Sequence, residues 1–107
     1  MLQRLGIADE VATRLRVFPN GATAMRQLAQ SDAKRPIGCT QSTEIITTQG
    51  VELSGTLPAG CDLATMYTAG ITVHAVNANP ARLLIDLMTS ADSEALRSQA
   101  GFLSTGR

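Results

Sequence analysis

The stretch Leu15-Arg16-Val17-Phe18-Pro19-Asn20-Gly21-Ala22 is where the chain changes its hydrophobic period. Leu15 to Phe18 alternates every second residue, the pattern of a short strand. Pro19 ends that pattern, because it has no backbone N–H to give to a ladder. Asn20 then stands where a helix cap belongs, offering a side-chain oxygen to a free amide of the first turn. From Ala22 to Gln30 the pattern is helical, with Ala24, Met25, Leu28 and Ala29 on one face. A strand that runs directly into a helix is the basic unit of an α/β chain.

The same unit recurs downstream. Ile37-Gly38-Cys39-Thr40 reads as a short buried strand, and Ser42 to Thr47 as a short helix with Glu44 in its first turn, where the helix dipole favours an anion. Gln49-Gly50 turns the chain, Val51 to Gly55 alternates as a third strand, and Leu57 to Asp62 is a Pro/Gly loop. Thr65 to Val76 is the longest strand-like run, with Tyr67, Ile71 and Val73 on one parity. Asn79-Pro80 predicts a helix start, with Leu83, Leu84, Leu87 and Met88 as its apolar face. Ser90 is the expected cap of a last helix over Ala91 to Gln99, stopped by Gly101. Upstream, Met1 to Leu5 reads as a helical turn stopped by Gly6, and Asp9 to Arg14 as one more turn. The expected fold class is therefore α/β, in three layers, with a mainly parallel sheet and flanking helices.

Composition narrows function by exclusion. The 107 residues suit one small domain. Nine Lys and Arg balance nine Asp and Glu, so no basic face is expected to neutralise the phosphates of a nucleic acid. Apolar residues make up 44% of the chain and aromatics 3%, which requires a core built from aliphatic side chains. No run reaches the ~18 apolar residues a bilayer span needs. Met1 to Glu10 carries charges and no apolar core of a signal peptide. On that stretch alone the chain is expected to stay in the cytoplasm.

No catalytic pattern is found. There is no GxSxG, P-loop or GxGxxG, and the acids are scattered or sit at helix starts. Cys39 and Cys61 form no CxxC and His74 has no partner ligands at a metal-site spacing, so no metal and no cofactor are expected. The two cysteines read as small buried hydrophobes or, in an oxidising compartment, as a disulfide pair. His74 reads as a partly buried polar residue on a strand. A nucleophilic Cys39 needs an adjacent base that the sequence does not place. The chain is not read as an enzyme.

Three places can hold a small oxyanion without a full positive charge. Two are strand-to-helix junctions, Phe18-Pro19-Asn20-Gly21 and Thr40-Gln41-Ser42-Thr43, where helix starts offer bare N–H groups and a partial positive charge. In a parallel sheet both lie at the carboxyl ends of strands, where open α/β sheets bind ligands. The third is Tyr67, the single tyrosine, whose phenol is a neutral donor. Taken one at a time, Asn20 and Ser42 also read simply as helix caps and Tyr67 as packing.

An ordered series of segments carries a family resemblance: Gly38-Cys39-Thr40-Gln41-Ser42-Thr43-Glu44-Ile45, then Gly50-Val51-Glu52-Leu53-Ser54-Gly55-Thr56-Leu57-Pro58, Tyr67-Thr68-Ala69-Gly70-Ile71, Asn79-Pro80-Ala81-Arg82, Leu87-Met88-Thr89-Ser90 and Gly101-Phe102. With the opening Leu5-Gly6-Ile7-Ala8-Asp9, the series resembles the C-terminal part of the molybdate-type substrate-binding proteins of ABC transporters, from Leu2 to Phe102. The resemblance implies a type II periplasmic-binding-protein fold, of which residues 1–76 would form second-lobe α/β structure with a crossing strand. Residues 77–103 would be helices that pack on a first lobe the chain lacks. It implies a periplasmic location, a transporter membrane subunit as partner, and an oxyanion such as molybdate or tungstate as ligand. Thr40 matches a backbone N–H contact to that anion, Tyr67 a phenolic donor, and Phe18 and Pro19 a further backbone contact. A lobe without its companion is expected to expose sheet edges and the Leu83, Leu84, Leu87 and Leu96 faces, and so to form a homodimer. The alternative reading is a ligand-sensing or interaction module of the same fold.

Overall fold

The computed structural model describes residues 1–104. Among them the elements are helical only: α1 (Ala8–Val11), α2 (Gly21–Ala29), α3 (Ser42–Ile46), α4 (Ala78–Thr89) and α5 (Glu94–Gln99), with single 3₁₀ turns at Ala12–Arg14 and Ala91–Ser93. The chain divides into two units, Met1–Leu63 and Ala64–Arg107.

The helix starts and stops obey local chemistry. Asn20 has extended backbone and its Oδ1 accepts from the Thr23 N–H at 2.8 Å, closing the first turn of α2. Gly6 and Gly101, with φ of +69° and +89°, each end a helical turn. At Gly101 the Phe102 N–H reaches Arg97 O and the Gly101 N–H reaches Ser98 O, both at 3.0 Å. That pair of bonds needs a left-handed residue, which glycine supplies without a Cβ clash. Two expected caps are corrected. Asn77, not Asn79, precedes α4, and Pro80 is its third residue, where a missing N–H still costs nothing. Ser90 makes no side-chain cap to the 3₁₀ turn at Ala91–Ser93; its hydroxyl donates back to Leu87 O at 3.0 Å, serving the end of α4. Arg97 reinforces that end, donating to Met88 O at 2.7 Å and Ser90 O at 2.9 Å.

The α/β expectation fails. No strand or bridge occurs among the described residues, so neither the three-layer architecture nor the parallel sheet is present. Leu15–Phe18, Ile37–Thr40 and Val51–Gly55 carry no helix, turn or bridge and form no ladder. The physical reason is that alternation specifies which face of a strand is apolar, while a ladder needs a neighbour about 4.8 Å away in register. The long run from Thr65 also stops early, because the Ala75 N–H bonds Thr72 O at 3.1 Å and turns the chain at Val73-His74. His74 is therefore exposed in a turn rather than half-buried on a strand. Ile37, read as the start of a buried strand, is 89% exposed. Cys39 is exposed as well, so it is not a buried hydrophobe; both cysteines are free thiols.

Packing in the first unit centres on α2. Met25, 1% exposed, is the one buried side chain among the described residues. Gly38 lies so close to this face that a Cβ there would stand 2.6 Å from Met25 Cε and 2.9 Å from Leu28 Cδ2. A shallow cleft of ≈ 110 Å³ runs beside Met25 and Leu28, walled by Ile37, Ile45, Val51 and Leu53. The chain leaves 9444 Å² in water, against roughly 5,700 Å² for an ordinary folded chain of this mass. In the second unit Ala81 and Ile85 are half-buried, while Leu83, Leu84, Leu87 and Met88 stay exposed.

With one buried side chain at its centre, the first unit depends on Met25. Met25→Ala is expected to cost about 2–3 kcal/mol, the lower range for a buried Met truncated to Ala. Far-UV circular dichroism melts check this. An unchanged melting temperature would show that the cleft, not Met25, carries the packing.

Candidate functional site

The two junctions named by the sequence converge. Asn20 is the cap of α2 and Gly21 its first residue. A Cβ built on Gly21 would overlap Thr40 Oγ1 and the carboxylate of Glu44. The second junction thus lies directly against the first residue of α2, and only a residue without a side chain permits it. Thr40 Oγ1 donates to Glu44 Oε2, a half-buried bond that ties the loop before α3 to its first turn. The N–H groups of Gly21 and Ala22 open the helix and have no intrahelical acceptor, whereas that of Thr23 is taken by Asn20.

The neighbouring residues fall into place around this contact. Phe18 is half-buried and Pro19 exposed, both on the segment leading into α2. Gln41 is the cap residue of α3, with extended backbone and no side-chain cap bond, and its carbonyl accepts the Glu44 N–H at 3.1 Å. Ser42 is the first residue of α3 and half-buried. Tyr67 belongs to the second unit. It is 64% exposed there, and its ring meets Phe102 edge to face with centroids 6.1 Å apart, a favourable geometry for two aromatic quadrupoles.

Phe18, Pro19, Asn20, Gly21, Thr40, Gln41 and Ser42 thus share one unit, and Gly21 touches Thr40. With no sheet among the described residues, the carboxyl ends of strands do not bring the junctions together; they meet because the loop before α3 packs on the start of α2. Sequence reasoning missed the second role of Glu44, which it read only as a charge in a first turn. Two signals marked it: Gly21 where helix propensity prefers almost anything else, and a hydroxyl four residues before a carboxylate. Among the described residues no group of three His, Cys, Asp or Glu could hold a metal ion. No helix among them is long and apolar enough to cross a membrane.

The close approach at Gly21 has a measurable coupling. Gly21→Ala is expected to lower the melting temperature even though Ala is the better helix former, because its methyl separates Thr40 from Glu44. In a Glu44→Ala background the same substitution should cost about 1 kcal/mol less, the scale of a lost hydrogen bond. A double-mutant cycle by thermal unfolding reads this coupling. Additive effects would show that the two sites are independent.

Comparison with known proteins adds one match. No curated protein and no solved structure matches the chain. The model of one family, described as bacterial extracellular solute-binding protein, matches residues 1–103. That span takes in both junctions, the Gly21–Thr40 contact and Tyr67, and the chain belongs to the bacterial extracellular solute-binding protein family.

Proposed function

We infer that this chain is the ligand-holding component of an ABC transporter and that its solute is a small oxyanion. Family membership supports the solute-binding role. The observation that carries the oxyanion reading is the close approach of Gly21 to Thr40, which brings the first turn of α2 beside the loop that leads into α3. Helix N-terminal amides and their roughly half a positive charge suit an anion whose oxygens all accept. In this reading Asn20 holds the start of α2 in place, and Gly21, Thr40, Gln41 and Ser42 supply backbone donors. Phe18 and Pro19 shape the approach. Molybdate and tungstate are the anions that the family resemblance implies; the donors themselves ask only for small size and accepting oxygens. A membrane permease is the partner such a component serves, and the periplasm is where it works.

The test is a titration of the 107-residue chain with molybdate, tungstate, sulfate and phosphate, monitored by ¹H–¹⁵N correlation spectra. At least one anion is expected to give saturable shifts at the amides of Gly21, Ala22, Thr40 and Ser42. The dissociation constant should be about millimolar, since a few donors leave the anion much of its water. If none of the four anions moves those amides, the oxyanion reading is wrong.

A further inference from the structure

Helix α4 leaves most of its apolar surface unused within its own unit. Of its residues only Ala81 and Ile85, one turn apart, are half-buried. Leu83, Leu84, Leu87 and Met88 lie between 56% and 70% exposed. At 3.6 residues per turn these four side chains form one continuous stripe. The two charges of the helix, Arg82 and Asp86, stand on its opposite side. Single apolar side chains on a surface need no explanation, but a contiguous uncharged stripe marks a face that another body covers.

Area and charge point to the same occupant. The chain exposes roughly 3,700 Å² more than an ordinary folded chain of its mass. Each partner of a stable interface gives up about 800 Å², so one such contact is well within what is exposed. Arg82 and Asp86 cancel, so the polar back of α4 has no basic excess to hold it on an anionic lipid surface. Nine Lys and Arg against nine Asp and Glu leave no net charge to drive like copies apart. We propose that the Leu83, Leu84, Leu87 and Met88 stripe is the interface at which two copies of this chain pair. A two-fold contact must be complementary to itself, and an uncharged aliphatic stripe meets that condition. With the two helices antiparallel, Leu83 of each copy packs on Leu87 of the other, and opposite dipole ends come together. This pairing is independent of which solute the chain holds.

Sedimentation equilibrium of the 107-residue chain tests the pairing. A monomer–dimer equilibrium with a dissociation constant of about 1 to 100 μM is expected, the range of an interface of modest size. Leu84→Glu with Leu87→Glu should raise that constant at least about hundredfold, because pairing would then bury unpaired carboxylates. Asp86→Asn, on the opposite side, should leave it within about twofold. Isotope-filtered spectra of mixed labelled and unlabelled wild type should show methyl contacts between Leu83 of one copy and Leu87 of the other. Far-UV circular dichroism monitors the fold; if the double variant loses helicity, the wild-type methyl contacts decide. A monomer throughout the concentration range overturns the proposal, and so does a dimer that lacks those contacts or survives the double substitution. Assembly that continues past two copies overturns the two-fold closure. Binding of a monomeric chain to vesicles of phosphatidylcholine and phosphatidylglycerol, lost in the double variant, assigns the stripe to lipid and overturns the proposal too. Each of these outcomes leaves the oxyanion reading standing, since that reading is decided by anion shifts at Gly21 and Thr40.

Discussion

The missing side chain of Gly21 is the constraint around which the candidate site is arranged. Because nothing projects from the first residue of α2, Thr40 and the carboxylate of Glu44 lie against its backbone. Three effects meet there. Asn20 closes one amide of the first turn of α2. Thr40 and Glu44 brace the loop that leads into α3. Gly38, two residues before Thr40, packs on Met25 and Leu28, so the loop is held from its apolar side too. Any side chain at position 21 separates what these contacts join.

The distribution of apolar surface is the second theme. A chain with 44% apolar residues has the material for a core, yet among the described residues only Met25 is withdrawn from water. The aliphatic side chains of the extended segments stay in solvent, as Val73 does at 93% exposure. So does the Leu83, Leu84 and Leu87 row of α4, with Leu83 at 70%. Burying one such side chain fully is worth about 1.5–3 kcal/mol. Much of the stabilisation that the composition offers is therefore not drawn upon within the described chain, and local closure of helices does most of the ordering.

Helices and extended segments differ in how they satisfy their backbones, and this separates what was legible from what was not. A helix bonds each amide to a carbonyl four residues back, so its start and stop are written beside it. Asn20 before α2, Gly6 and Gly101 at left-handed stops, and the turn at Pro58-Ala59-Gly60-Cys61, closed by Cys61 N–H to Pro58 O at 2.9 Å, all depend on adjacent residues. A strand bonds to a segment elsewhere, and nothing within Leu15–Phe18 or Val51–Gly55 names that segment. The caps of α4 show the same limit on a smaller scale. Asn79-Pro80 carries the right residue types, but the helix begins at Ala78, before them.

Residue order alone determined the helical segments, their glycine stops, the capping role of Asn20 and the ordered series that marks a solute-binding family, because each depends on neighbours in the chain. Only the tertiary structure decided that the α/β pattern yields no sheet among the described residues, that Cys39 and His74 face water, and that Gly21 receives Thr40 and Glu44. Those outcomes depend on which distant segments come within bonding distance, and hydrophobic alternation carries no information about partners. Glu44 shows the difference within a single side chain. Its place in a first turn is a local fact, whereas its position against α2 exists only once two separate loops have met.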